Sequence, residues 1–121
     1  MPTSNGAMTD SEVRELSKTL QDFSSVYLVE YYPASYDDAR RLQNLAEKLP
    51  SGLTQDEADW ILYLATTISE TLSQQRPEQC KRLNVLLELF MIEYSLTEGE
   101  RVARGVFVQA RKIVDTLGKL D

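Results

Sequence analysis

The sequence predicts an all-α domain, a five-helix up-and-down bundle packed around one central apolar helix. Three observations predict this fold. Apolar residues recur at helical spacing in five segments, Thr-x-x-Glu capping boxes open three of these segments, and the single strand-like stretch has no partner strand. The connections between the segments are short, and short connections favour antiparallel neighbours.

The central helix is predicted over residues 77–96, the most apolar run of the chain. On a helical projection its two apolar faces lie on roughly opposite sides. A helix that is apolar on two sides is buried inside a fold or at an interface. We therefore expect either the centre of a monomeric bundle or a homodimer that is joined through the second face. The first face carries Cys80, Leu83, Leu86, Leu87, Phe90, Met91 and Tyr94, and the second carries Val85, Leu89, Ile92 and Leu96.

Helix 1 is predicted to begin at Thr9, where the Thr9–Glu12 capping box satisfies two backbone donors, and to end at Pro33. Residues 26–32 are rich in β-branched and aromatic side chains, which are typical of strands. We predict a helix there because no partner strand is present. Residues 1–8 are small and polar and are predicted to be a disordered tail, so that residues 9–121 form a single domain.

Helices 2, 3 and 5 complete the predicted bundle. Helix 2 starts at Ser35, has Tyr36 on its inward side, and ends before a turn at residues 50–52. Capping boxes at Thr54 and Thr97 open helices 3 and 5. Helix 5 has an apolar side and a basic face, which is either solvated or docks an acidic partner or a phosphate backbone. The basic face consists of Arg101, Arg104, Arg111 and Lys112.

Charge and composition limit the classes of function. The net charge is −6, and residues 1–60 carry 11 acidic and 5 basic side chains. Such an acidic surface argues against non-specific binding to nucleic acids or anionic lipids, so a nucleic-acid regulator using the basic face is only an alternative. The most apolar run contains five charged residues and is not expected to span a membrane. The first residues lack the pattern of a signal peptide, and Cys80 has no second cysteine to pair with, so we expect a cytoplasmic protein.

The sequence does not suggest an enzyme. It has no histidine, one cysteine and no glycine-rich phosphate loop, so no catalytic residue, metal site or cofactor is predicted. Glu88 and Glu93 lie in the most apolar helix but point to different sides, and we expect both to be solvated. A small-molecule site in the bundle core is a further alternative, which a buried and unpaired Glu88 or Tyr94 would favour.

Aromatic residues away from the predicted core faces are the candidate binding site. They lie near acidic side chains and resemble an interface anchor with a charged rim, although a second core layer would also explain them. We therefore predict a small acidic protein-binding module of the adaptor, inhibitor, immunity or chaperone-like kind. The predicted partner-binding residues are Tyr31, Tyr32, Tyr36, Trp60 and Tyr63.

Overall fold

The computed structural model describes residues 7–31, 33–34 and 36–96, and these residues form an all-helical fold without a strand. The predicted fold class and the first four helices are confirmed. The fifth predicted helix, over residues 97–121, lies outside the described residues. The elements are α1 (Asp10–Tyr31), α2 (Tyr36–Lys48), a short 3-10 helix (Leu49–Ser51), α3 (Gln55–Leu72) and α4 (Pro77–Glu93).

Local sequence signals set the starts of three helices. The Thr9 hydroxyl accepts a hydrogen bond from the Glu12 backbone N–H at 3.1 Å, and the Glu12 carboxylate accepts one from the Thr9 N–H at 2.9 Å. Thr54 and Glu57 make the same reciprocal pair before α3. Pro77 is the first residue of α4, where its missing donor costs nothing. These contacts explain why the predicted helix starts are correct.

The end of α4 differs slightly from the prediction. The helix ends at Glu93, three residues before the predicted end. Ser95 has a left-handed backbone with φ of 55°, and the Leu96 N–H donates to the Met91 carbonyl at 2.8 Å. The Ser95 N–H donates to the Ile92 carbonyl at 3.2 Å. This pair of bonds is the Schellman arrangement that satisfies the last carbonyls of a helix.

The four helices form an antiparallel ring. Within the described residues, α1 and α3 each pack against both α2 and α4, and they meet each other across the core, whereas α2 and α4 share no contact. Along α1, Glu15 bonds to Arg82 while the later Glu30 bonds to Gln75, so α1 and α4 run in opposite directions. The opposite directions of α1 and α4 agree with the predicted up-and-down order.

The core is lined by all four helices, and α4 is not at its centre. The buried side of α3 is the broadest among the described helices. On α4, the first predicted face is buried except for the half-buried Met91, but Val85 and Ile92 on the second are 48% and 58% exposed. The prediction of a central helix buried on both sides is thus wrong for the described bundle. Among the described helices α4 has neighbours only in α1 and α3, and these cover one side.

Two further residues lie elsewhere than predicted. Met8 was assigned to the disordered tail, yet its side chain is buried and its N–H donates to the Glu93 carboxylate at 3.2 Å. Residues 1–6 lie outside the described residues. Tyr36 was predicted to face inward, but it is 48% exposed. It is the first residue of α2, one turn before the buried Ala39, and so lies at the edge of the core.

Candidate functional site

The corner between α1 and α2 carries the most exposed apolar group of the described chain. Val29 is 81% exposed, and Tyr31 and Tyr36, which flank the turn between the two helices, are 38% and 48% exposed. Val29 and Tyr31 are separated by about 200° around α1 and therefore lie on different sides of this helix end. We call these three side chains the corner surface. The predicted contact residue Tyr32 lies outside the described residues. Tyr31 and Tyr36 are accessible, and their contact with a partner stays a prediction.

Local bonds hold this corner in place. α1 ends at Tyr31, and the Tyr36 N–H that begins α2 donates to the Pro33 carbonyl at 3.1 Å. The ring of Tyr31 lies 5.0 Å from that of Tyr27, one turn earlier on α1, and Tyr27 packs against the core. The exposed Tyr31 ring therefore lies against Tyr27, a half-buried residue of the same helix.

Acidic side chains surround the corner surface. Glu30 and Asp37 are exposed, and Asp38 is half-buried in the first turn of α2. The Glu30 carboxylate accepts a hydrogen bond from the Gln75 side chain at 3.0 Å, which connects the corner to the start of α4. An exposed apolar centre with a charged border is the usual organisation of a protein-binding patch.

Trp60 and Tyr63 do not belong to this corner. Both are half-buried and pack against the core, with their rings edge-to-face at 6.2 Å. The Arg41 guanidinium lies 4.5 Å from the centre of the Trp60 ring. Arg41 is five residues along α2 from Tyr36, a rise of about 7.5 Å. Trp60 therefore sits beside the middle of α2, and the second-core-layer explanation fits Trp60 and Tyr63 better than direct partner contact.

The predicted dimer face is only partly exposed. Val85 and Ile92 are exposed and Leu89 is half-buried, but Leu96 is buried in the core cluster. The turn at Ser95 directs Leu96 back onto the bundle, which a straight helix to residue 96 would not do. We call Val85, Leu89 and Ile92 the α4 stripe. The predicted basic face of Arg101, Arg104, Arg111 and Lys112 lies outside the described residues and stays a prediction.

The carboxylates of α4 differ in their surroundings. Glu88 is exposed, as predicted, but Glu93 is buried, and its carboxylate accepts the Met8 N–H. The expectation that both are solvated was wrong for Glu93. The sequence pattern missed this because the partner of Glu93 is a backbone group 85 residues earlier.

Other reactive groups of the described chain are engaged in packing. Cys80 is a free, buried thiol that donates to the Ser69 carbonyl at 3.5 Å. Burial raises the pKa of Tyr94, and a hydrogen bond with the Leu53 backbone acts in the opposite direction. Among the described residues, no group of three or more His, Cys, Asp or Glu side chains is arranged to hold a metal ion.

Sequence reasoning overlooked Val29 as a contact residue, although a signal was present. Leu16, Leu20, Phe23 and Tyr27 repeat at helical spacing and define the inner side of α1. Val29 falls off this repeat, two residues beyond Tyr27, so its side chain points away from the core. An apolar residue outside the repeat of an amphipathic helix was thus a readable indication of an exposed site.

Of the helices in the described part, none is both long and apolar enough to cross a membrane. No protein-family model, curated protein or solved structure matches this chain.

Proposed function

We propose that this chain is a small protein-binding module without catalytic activity, and that its partner docks on the corner surface. The observation that carries the proposal is the exposure of three large side chains at one corner of the fold, with Val29 81% exposed. A single exposed apolar residue is ordinary on a protein surface. Three within eight residues, at a corner that the core holds in place, are better explained as a contact site.

The chemistry of the corner surface suits a protein partner. Tyrosine is enriched at interfaces because it supplies a large contact area and a polar hydroxyl at low cost in conformational entropy. The rim formed by Glu30 and Asp37 favours a partner with lysine or arginine around an apolar pocket. Such charge complementarity mainly raises the association rate, which should fall as salt is added.

The absence of histidine and the single buried cysteine support a non-catalytic and cytoplasmic role. The chain lacks histidine, the side chain that most often transfers protons near neutral pH. Its only cysteine is buried, so the thiol is poorly placed to act as a nucleophile. A free thiol is also usual in the reducing cytoplasm, where structural disulfides are rare.

The proposal can be tested by affinity capture with matched variants. Wild-type protein, Val29→Asp and Val85→Asp are immobilised and exposed to extract of the source cells, and the retained proteins are identified by mass spectrometry. Both substitutions place a carboxylate on an exposed valine, so Val85→Asp is the control for added charge. We expect a partner that wild type and Val85→Asp retain and that Val29→Asp loses.

The candidate partner is then purified, and its affinity is measured by calorimetry. Removal of an interface anchor commonly weakens binding by tenfold or more. We expect that loss for Val29→Asp and for Tyr36→Ala. Equal affinity of these variants and wild type would show that the corner surface is not the binding site.

A structural homodimer is the second candidate, favoured by the exposure of Val85 and Ile92 on the α4 stripe. The α4 stripe is small for such an interface. A stable dimer buries about 800 Å² on each subunit, and this stripe consists of three side chains. Light scattering on a sizing column from low to high micromolar concentration tests it. A mass that stays monomeric would eliminate the dimer, and a dimer that Ile92→Asp dissociates would establish it.

A further inference from the structure

A groove of about 550 Å³ opens between α1 and the N-terminal half of α4. This volume is within the range of pockets that hold small organic molecules. Phe23 and Val26 of α1 contribute apolar surface, and charged and uncharged polar side chains line the rest. The groove shares no residue with the corner surface, so a ligand in the groove would be independent of the proposed partner site.

Two of the charges that line the groove neutralise each other. The Arg82 Nε and an Arg82 terminal nitrogen each donate to one oxygen of the Glu15 carboxylate, both at 2.7 Å. The hydrogen bond to Arg82 holds the pKa of Glu15 below its ordinary value. This bidentate pair engages both oxygens of Glu15 and neutralises much of the Arg82 charge that an anionic ligand would otherwise meet.

Arg76 is the cation that remains. Its backbone is fixed at the start of α4, because its N–H donates to the Leu72 carbonyl at 2.9 Å and its carbonyl accepts the Cys80 N–H. The residue is half-buried, and its guanidinium makes no hydrogen bond or ion pair with the described residues. A guanidinium presents paired donors that match a carboxylate.

We propose that this groove binds a small carboxylate with an apolar body, such as an aromatic or branched aliphatic acid. The carboxylate receives two hydrogen bonds from Arg76, and the apolar body covers Phe23 and Val26. The exposed Asp22 on the α1 side of the groove works against a ligand of higher negative charge. A monoanion is therefore favoured over a phosphate.

The test uses 3-phenylpropionate as the probe and follows the backbone amide signals of the full chain by NMR. We expect saturable shifts at residues 23, 26, 76 and 79. The matched probes 3-phenylpropanol and 3-phenylpropylamine carry the same ring without a carboxylate and should bind at least tenfold more weakly. Inorganic phosphate should fail to compete with the probe.

Three variants locate the contact. Arg76→Gln should weaken binding of the probe by about tenfold or more. The variant should still fold, because the Arg76 side chain makes no capping bond. Asp22→Asn removes a like charge and should strengthen binding by a few-fold. Arg14→Gln, an exposed arginine of α1 outside the groove, is the control and should leave the affinity unchanged.

Several outcomes would overturn the proposal. No shift of the groove signals at millimolar probe would show that the groove does not bind such acids. Equal binding of the alcohol would show that Arg76 does not receive the carboxylate. Competition by phosphate, or equal weakening by Arg14→Gln, would indicate only a general attraction of anions to positive charge.

Discussion

Val85 and Leu86 are neighbours on α4, and the structure predicts opposite consequences for their replacement by alanine. Leu86 has no exposed surface and lies in the core cluster, whereas Val85 is 48% exposed. Leu86→Ala leaves a cavity between helices and should lower the free energy of unfolding by about 2–5 kcal/mol. In a chain of this size that change should lower the midpoint of thermal unfolding by roughly 8 °C or more.

For Val85→Ala two small terms nearly cancel. The substitution removes two carbon groups, and each stabilises the fold by about 0.8 kcal/mol when it is fully buried. Because Val85 is about half exposed, we expect about half of this stabilisation to be lost. Alanine is the better helix former, by up to about 0.7 kcal/mol. The net change in the free energy of unfolding should therefore stay within about 0.5 kcal/mol.

Urea unfolding followed by circular dichroism at 222 nm measures both changes, at low and at high micromolar protein. A cost above about 1.5 kcal/mol for Val85→Ala at every concentration would mean that the α4 stripe is buried within one chain, and the described exposure would be wrong. A cost that appears only at high concentration would instead indicate the homodimer. Equal small costs for both variants would refute the position of Leu86 in the core.

Three more predictions concern caps and ionisable groups. Thr54→Ala removes the cap of α3 and should lower the free energy of unfolding, measured in urea, by about 1 kcal/mol. The same change at the exposed Thr71 should lower it little. Because its bond to Arg82 lowers the pKa of Glu15, wild type should lose stability relative to Glu15→Gln as the pH falls below about 4.5, in thermal scans from pH 7 to 3. Burial raises the pKa of Tyr94, so wild type should lose stability relative to Tyr94→Phe as the pH rises above about 10.

Each of these predictions has a clear contrary result. Equal losses for the two threonine variants would mean that the capping box does not stabilise α3. Parallel acid profiles of wild type and Glu15→Gln would show that the pair with Arg82 does not persist in solution. Parallel alkaline profiles of wild type and Tyr94→Phe would show that water reaches the phenol of Tyr94.

The helices were predictable because their signals are local. Thr9, Thr54 and Pro77 act within a few residues, through bonds that the sequence itself specifies. The arrangement of the helices depends instead on distant pairs. Glu93 meets the Met8 backbone and Arg82 meets Glu15, and no spacing in the sequence indicates either contact.

The candidate site was predicted in part for the same reason. Tyr31 and Tyr36 flank a proline that ends a helix, and such a corner is readable from sequence. Whether Trp60 lies at that corner depends on how α3 lies against α2, which the side-chain pattern leaves open. The groove beside Arg76 was not foreseen, because its lining comes from two helices that are about 50 residues apart in the chain.

The antiparallel ring has a consequence for how the chain folds. Each of α2, α3 and α4 meets the helix just before it across a short connection, so these contacts form at a small cost in chain entropy. The α1–α4 seam is different, since Met8 and Glu93 are 85 residues apart in the chain. Contacts between such distant residues carry the largest loop-closure entropy. We therefore expect this seam to close last during folding and to open first in the native state, as amide hydrogen exchange would report.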